Sequence, residues 1–185
     1  MTKETELNIL AGKRVYLSSP MGHVSAEWNW NKQRLIVINT LIEEFNLRVF
    51  DPYNDPKQAN LSLLNQYKEK RDFDSLSKIA KEFVSQDLNA VNWADIVIAY
   101  VPKGIPSCGV PHEIINANLG KKLVLLVEGT DKAKINIWYY GFIKHRFIFD
   151  TWDDLFNYLT EINEDKHKDD PRLQFLYSYP VEWLS

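Results

Sequence analysis

The chain has 185 residues, a length that suits one domain of ordinary size with a sizeable hydrophobic core. Its 45% hydrophobic and 25% charged residues are typical of a soluble globular protein, and a net charge of −3 favours small ligands over duplex nucleic acid, which requires clustered basic residues. The single cysteine, Cys108, excludes internal disulfides, and no apolar run approaches the roughly 18 residues of a membrane span, so we expect a cytoplasmic protein without a membrane anchor.

The first half of the chain predicts two strand–helix units. Arg14–Ser18 is a candidate first strand, and a helix with an apolar stripe follows over residues 27–45. Residues 47–50 predict a short second strand, and the polar stretch that runs from there to Arg71 has no assignment. A second long helix leads into the third strand. The first stripe consists of Leu35, Ile38, Leu41, Ile42 and Phe45, and the second of Leu76, Ile79, Ala80, Phe83, Leu88 and Val91.

The alternation continues in the second half. The β-branched run Asp95–Val101 predicts a third strand, and a loop rich in proline and glycine then leads to a helix with Pro111 at its first position and Gly120 at its end. Lys122–Val127 is almost wholly apolar, as a parallel strand buried on both faces requires.

The last predicted elements are a fifth strand and a final helix. Arg146–Phe149 is the strand candidate. Thr151 and Asp154 have the spacing of a capping box for a helix over Trp152–Ile162.

Strands that alternate with helices predict a doubly wound, flavodoxin-like three-layer sandwich with a five-stranded parallel sheet. Ligands of such folds bind at the carboxyl ends of the strands. We expect the domain to span residues 1–163, and residues 164–185 to form a charged linker and an aromatic tail that packs on the domain or on a partner subunit.

Two common nucleotide-binding motifs are absent from the sequence. No Gly-x-Gly-x-x-Gly follows the first strand and no P-loop motif occurs, which disfavours dinucleotide oxidoreductases and P-loop enzymes. The four histidines have no metal-ligand spacing, so we expect neither a metal site nor a cofactor.

Glu113 is the strongest candidate for chemistry. With Pro111 at the first helical position, Glu113 falls in the first turn, where backbone N–H groups and the helix dipole favour negative charge. We expect it to be ionised at neutral pH and able to act as a nucleophile. From position alone, the simpler interpretation is that it only complements the dipole.

Five segments, in order along the chain, resemble the nucleoside 2-deoxyribosyltransferase family. They are Val15–Ser18, Asp87–Pro102, Gly109-x-x-x-Glu113, Gly120–Val127 and Lys134–Gly141. The resemblance covers about residues 14 to 160. It implies an enzyme that cleaves the N-glycosidic bond of a 2′-deoxynucleoside through a covalent deoxyribosyl–glutamate intermediate, and then passes the sugar to another base or to water.

The resemblance also implies catalytic roles. Glu113 matches the nucleophile, Asp87 the acid that contacts the base, and Tyr16 the tyrosine that positions the nucleophile. Asp87 lies on the apolar side of its helix, between Phe83 and Val91, where burial could raise its pKa enough for it to act as a general acid.

Further residues are implied in binding. Gly109 belongs to the matching motif, and Asn136 matches an asparagine that a neighbouring subunit contributes, so the resemblance implies a homo-oligomer. Asp95 matches an aspartate that opens a family strand. It is counted among the binding candidates, although a structural role is the favoured interpretation.

One position departs from the family pattern. Six residues before the nucleophile, where family transferases carry an aspartate for the sugar's 5′-hydroxyl, this chain has Ser107. A serine is similar to the related deoxynucleotide N-hydrolases, where it contacts a 5′-phosphate that an aspartate would repel. Ser18, Ser19 and Arg34 are further candidate donors to a phosphate, although roles as loop and helix-surface residues are favoured for them. The resemblance therefore implies a nucleoside or its 5′-monophosphate as substrate and leaves the choice between them open.

The roles of two tryptophans and two other classes of function remain open. Trp28 and Trp30 are candidates to stack on a base, with core packing as the alternative. A non-catalytic module that senses or sequesters a nucleotide is the alternative function, and a purely structural subunit is a weaker one. The joint presence of Glu113 and Asp87 favours the enzyme, because a binder has no need of both.

Overall fold

The computed structural model describes residues 8–21, 30–54 and 61–177. Its five strands are all parallel and form one sheet in the order β2-β1-β3-β4-β5. This is the strand order of the flavodoxin-like fold, so the predicted fold class is confirmed. The strands are β1 (Arg14–Ser18), β2 (Arg48–Phe50), β3 (Ile96–Tyr100), β4 (Leu123–Val127) and β5 (Ile148–Phe149).

Helices cover both faces of this sheet. The described helices are α1 (Trp30–Glu43), α2 (Leu61–Lys70), α3 (Phe73–Trp93), α4 (Gly109–Leu119), α5 (Ile137–Phe142), α6 (Trp152–Asn163) and α7 (Gln174–Tyr177). α1 and α6 share one face, where the rings of Trp30 and Trp152 stack with centroids 5.6 Å apart. α3 and α4 pack against each other on the opposite face, against β1 and against β3 and β4 respectively.

The two central strands explain the apolar runs in the sequence. Every residue of β3 and β4 is buried, and the two strands pair in register from Ile96 with Leu123 to Tyr100 with Val127. A strand covered by helices on both faces has no polar side, so apolar and polar residues do not alternate along it.

The predicted stripe of α1 was right at Ile38, Leu41 and Phe45, which are buried, and wrong at Leu35 and Ile42, which are exposed. Trp30, Val37, Ile38 and Leu41 are buried, whereas Leu35 of the predicted stripe is 50% exposed. Residues 35–38 are all apolar, so more than one helical phase fits the sequence, and the stacking of Trp30 on α6 selects the one observed. Residues 27–29 of the predicted helix lie outside the described residues.

Helix α2 was missed because it has little apolar patterning. It packs mainly on α3, and most of its described side chains are exposed. Its leucines, glutamine, lysines and glutamate are good helix formers, but propensity alone is weak evidence. The side chain of Asp72 caps α3 by accepting the backbone N–H of Ser75 at 3.1 Å.

The capping box before α6 is confirmed. Thr151 Oγ1 accepts the N–H of Asp154 at 3.2 Å, and the Asp154 carboxylate accepts the N–H of Thr151 at 3.0 Å. The shorter aspartate thus closes the same reciprocal pair of bonds as the usual glutamate.

The described part of the tail packs on the domain. Leu173 and Leu176 are buried in the core, and the hydroxyl of Tyr177 donates to the carbonyl of Ile162 at 3.3 Å. The division at residue 163 stays a prediction. Among the described residues, no helix is both long and apolar enough to cross a bilayer.

Candidate active site

Strand β1 places two polar side chains under α4. Tyr16 and Ser18 are two residues apart, so they point to the same face of the sheet, and both are fully buried. The Ser18 hydroxyl donates a buried hydrogen bond to Oε2 of Glu113 on α4. Sequence-distant parts of the chain therefore meet at the carboxyl edge of β1, where a ligand of this fold is expected.

Glu113 lies in the second turn of its helix. α4 begins at Gly109, two residues earlier than predicted, because the Ser107 hydroxyl accepts the N–H of Val110 at 3.2 Å and closes the helix start. The prediction that Glu113 occupies the first turn was therefore wrong. Its side chain is directed into the protein, where the residue is only 6% exposed.

This burial changes the charge state of the carboxyl group. Removal from water raises the pKa of Glu113 to about 7, the hydrogen bond from Ser18 opposes that rise, and the negative charge of Asp87 adds to it. The expectation that the helix dipole keeps Glu113 ionised at neutral pH was wrong.

Tyr16 lies close enough to Glu113 for each group to affect the pKa of the other, and its role in positioning the nucleophile stays a prediction. Burial, followed by the charges of Glu113 and Asp87, raises the pKa of Tyr16 far above its ordinary value. Its hydroxyl is buried near the carboxylate, yet it completes hydrogen-bond geometry with no described residue. A buried donor of this kind costs about 1 to 3 kcal/mol and is a common feature of binding sites.

Asp87 completes the cluster from α3. It is half-buried on the side of the helix that also carries Phe83 and Val91, as predicted from the apolar spacing. Its charge acts on both Tyr16 and Glu113, so the three groups lie together. The structure thus unites Tyr16, Ser18, Asp87 and Glu113.

Two residues at the start of α4 flank the carboxylate. Ser107 is half-buried and uses its oxygen to accept the Val110 N–H. Gly109 lies directly against Glu113, since a Cβ at this position would stand 3.4 Å from Oε1. Both predicted binding residues are therefore on the loop and first turn that lead to Glu113.

Asn136 is part of a different surface. Its side chain caps α5 by accepting the N–H of Trp138 at 3.0 Å. It lines an apolar groove of about 240 Å³ on α4 and α5, and Glu113, Ser18 and Tyr16 do not line that groove. The groove residues are Pro111, Ile114, Ile115, Asn136, Trp138, Tyr139 and Phe142.

Asp95 does not belong to the site. It precedes β3, at the amino edge of the sheet, whereas Glu113 and Ser18 lie at the carboxyl edge. Its carboxylate accepts the backbone N–H of Arg14 at 2.9 Å and two guanidinium bonds at 3.0 and 2.7 Å. The inclusion of Asp95 among the binding residues was wrong, and the structural interpretation fits.

The other candidate phosphate donors, Ser19 and Arg34, are buried and contact core side chains. Ser19 accepts the indole N–H of Trp30 at 3.1 Å, and Trp30 is a core residue that is 1% exposed, not a platform for a base. Arg34 forms a buried ion pair with Asp51 and lies over the ring of Tyr53, 4.4 Å from its centroid. Trp28 lies outside the described residues.

The sequence analysis missed Glu128, a buried carboxylate at the end of β4. It accepts the backbone N–H groups of Thr130 and Asp131 at 2.8 and 2.7 Å, together with the Thr130 hydroxyl. Burial favours its neutral form, but these donors prevail and hold the pKa of Glu128 below its ordinary value. A glutamate between an apolar strand and a Gly-Thr turn is the sequence signal that could have revealed it.

No metal centre occurs within the described ranges, where no three histidine, cysteine, aspartate or glutamate side chains cluster as ligands.

Comparison with known proteins supports the fold. No family model matches the chain, and no curated protein matches it. The 2-deoxyribosyltransferase of Bacillus psychrosaccharolyticus is 19% identical, with 77% of this chain and 89% of that chain covered and a TM-score of 0.53. The CMP N-glycosidase of Clostridium botulinum is 17% identical, with 82% and 99% covered and a TM-score of 0.45. The resemblance to the nucleoside 2-deoxyribosyltransferase family is thus confirmed at the level of the fold.

The raised pKa of Glu113 predicts a stability that depends on pH. Because the folded protein holds this proton more tightly than the unfolded chain, stability falls as pH rises from about 4.5 to about 7. Glu113→Gln removes this loss, so at pH 8 the variant should be more stable than wild type by up to about 3 kcal/mol. The difference should disappear near pH 4.

Urea unfolding at pH 4, 6 and 8 provides the measurement. Glu128→Gln is the matched control, because the pKa of Glu128 is lowered and its loss should destabilise the protein at pH 8. A Glu113→Gln effect that is the same at all three pH values would contradict the pKa assignment.

Proposed function

We propose that this protein cleaves the N-glycosidic bond of 2′-deoxynucleosides or their 5′-monophosphates. The observation that carries the proposal is a buried carboxylate, Glu113, which Ser18 holds at the ligand-binding edge of the sheet next to a second acid, Asp87. The structurally similar Bacillus protein is a 2-deoxyribosyltransferase, which agrees with this proposal. A cytoplasmic location stays a prediction.

In the first step, a Glu113 carboxylate oxygen bonds to the anomeric carbon of the sugar as the bond from that carbon to the base nitrogen breaks. The carboxylate stabilises the oxocarbenium-like transition state and then captures it as a glycosyl ester. Only the ionised form can do this. A pKa near 7 leaves the ionised oxygen basic enough to be a good nucleophile while it is still populated at neutral pH.

The leaving base takes the electron pair of the broken bond and needs a proton or a hydrogen bond. We assign this role to Asp87 in its protonated form, which gives its proton to the departing base and is left as a carboxylate. Asp87 is half-buried and within electrostatic range of Glu113. Tyr16, with its unused buried hydroxyl, is a donor ready for the sugar or for the carboxylate.

In the second step, water or a second base attacks the same carbon. The bond from Glu113 to the sugar breaks, the electron pair of that bond returns to the Glu113 carboxylate, and the attacking group loses a proton to the Asp87 carboxylate. Transfer and hydrolysis share all steps except the identity of this nucleophile.

The 5′ end of the substrate is assigned to Ser107. Its oxygen accepts the N–H of Val110, which leaves its own O–H free to donate to a ligand. The start of α4 also favours an anion, and Ser107 brings no negative charge of its own. This combination favours a phosphate over the free hydroxyl that an aspartate would accept.

We infer that a second copy of the chain binds at the groove that contains Asn136. Trp138 and Ile137 beside it are 72% and 76% exposed, and Ile115 and Leu119 on α4 are also exposed. Exposed aromatic and aliphatic clusters of this kind mark protein interfaces. Because Asn136 lies in this groove and not in the Glu113 cluster, we assign its contribution to the active site of the partner.

Glu113→Gln should lower base release more than about a thousandfold, since the amide keeps the shape but is no nucleophile. The assay is incubation with deoxynucleosides and their 5′-monophosphates, with and without a second free base, followed by chromatography of the bases. In the wild type, activity should decline below about pH 7 as Glu113 becomes protonated.

Exposed Glu82→Gln on α3 is the matched control and should retain full activity. Base exchange identifies a transferase, and base release without exchange identifies a hydrolase. A Glu113→Gln rate above a tenth of wild type would remove Glu113 as nucleophile. Binding without any turnover would instead favour the non-catalytic nucleotide-binding module.

Ser107→Asp should shift substrate choice. A carboxylate near a 5′-phosphate repels it, so turnover of the monophosphate should fall by at least about tenfold relative to turnover of the nucleoside. The ratio of the two kcat/KM values is measured in both proteins. If the ratio is unchanged, Ser107 does not face the 5′ end.

Trp138→Asp should prevent self-association, because a charge in an apolar interface is costly to bury. Sedimentation velocity should give an oligomer for wild type and a smaller species for the variant. Phe73→Asp is the control, because Phe73 is 60% exposed on α3, which does not line the groove. A monomeric wild-type protein would refute the assignment.

A further inference from the structure

The two oxygens of the Glu113 carboxylate have different surroundings. Oε2 accepts the hydroxyl of Ser18, a bond that is itself buried. Oε1 lies against Gly109, where a Cβ would stand 3.4 Å away. A side-chain donor thus holds Oε2, whereas the residue beside Oε1 has no side chain.

Gly109 is not required by the backbone. It is the first residue of α4, and its φ is not in the left-handed region that favours glycine. Alanine at a helix start with ordinary dihedrals is normally tolerated or stabilising. What its missing side chain leaves is space next to Oε1.

Ser18 is equally specific in its contact. It faces α4 together with Tyr16, whereas its neighbour Ser19 faces the opposite side and accepts the indole N–H of Trp30. A hydrogen bond to a carboxylate fixes the group's rotation and draws charge toward the bonded oxygen. The oxygen without that bond keeps its lone pairs for attack.

We propose that Ser18 and Gly109 together select Oε1 of Glu113 as the attacking atom. Ser18 holds Oε2 and thereby aims the carboxylate, and Gly109 leaves Oε1 open to the anomeric carbon. This inference rests on the proposed function. In the first step Oε1 supplies the electron pair of its new bond to the anomeric carbon, and the base departs with the pair of the broken carbon–nitrogen bond. In the second step the pair of the Oε1–carbon bond returns to Oε1.

Ser18→Ala and Gly109→Ala should fail in different ways. Without the Ser18 donor, the ionised carboxylate loses stabilisation, and the titration of Glu113 should move up by about one pH unit. Turnover at pH 6 should then fall about tenfold beyond any loss at pH 9. In Gly109→Ala the added methyl covers Oε1, so turnover should fall about a hundredfold even at pH 9, where the carboxylate is ionised.

The charged and titratable groups that face Glu113 are Asp87 on α3, Tyr16 on β1 and His112 on α4, and all remain in these variants. Ser18→Thr keeps the hydroxyl, so its turnover should decline at low pH in the same way as that of the wild type. Ser19→Ala is the matched control for loss of a buried serine, and it should leave the decline of turnover at low pH unchanged.

Two readouts separate this inference from the proposed function. One is the pH profile of kcat/KM, and the other is the titration of Glu113 followed by NMR of protein with ¹³C-labelled glutamate carboxyls, assigned with Glu113→Gln. The NMR shift in Ser18→Ala is expected whether or not the protein turns over a nucleoside. If that shift occurs and no substrate reacts, the proposed function fails while the Ser18 contact stands, and the selection of an attacking oxygen fails with the function.

An unchanged Glu113 titration in Ser18→Ala would overturn the role of Ser18. Full activity of Gly109→Ala at pH 9 would overturn the choice of Oε1. If Ser18→Ala does not fold, Ser18→Cys, with a weaker donor of similar size, is measured in the same way and should give a shift of the same sign.

Discussion

A carboxyl group taken out of water must either give up its charge or be held by donors, and Glu113 is balanced between these outcomes. Burial under α4 favours the neutral acid, whereas the Ser18 hydroxyl favours the ion. The balance depends on β1, because this strand contributes buried residues to the core and also supplies the donor. A shift of one residue in the register of β1 would turn Ser18 away and leave the carboxylate without its partner.

The sequence predicted the fold well because its evidence is distributed over many residues. Three independent signals indicate the same fold: the buried runs of β3 and β4, the capping box at Thr151 and the alternation of strands with helices. A fold can be predicted from sequence when such signals agree. α2 escaped prediction for the opposite reason. Its contacts are with α3 and not with the core, so its sequence has no need of a strong apolar stripe.

The sequence indicated which residues form the candidate site more accurately than it indicated their burial and charge state. Tyr16, Asp87 and Glu113 meet as expected, but the start of α4 depends on a single hydroxyl, Ser107, which pattern analysis did not treat as a cap. That two-residue difference moves Glu113 from a solvated first turn to a buried second turn. Side-chain partners such as Arg34 with Asp51 depend on tertiary packing and have no signal at fixed sequence spacing.

The bonds between Arg14 and Asp95 join β1 to β3 at the edge of the sheet opposite Glu113. Arg14 also lies over the ring of Trp93, 5.3 Å from its centroid. The same strands therefore carry a mechanical anchor at one end and reactive groups at the other, about five residues apart. Evolution can then remodel the loops at the reactive end, and so change the ligand, while the anchored end keeps the strands aligned.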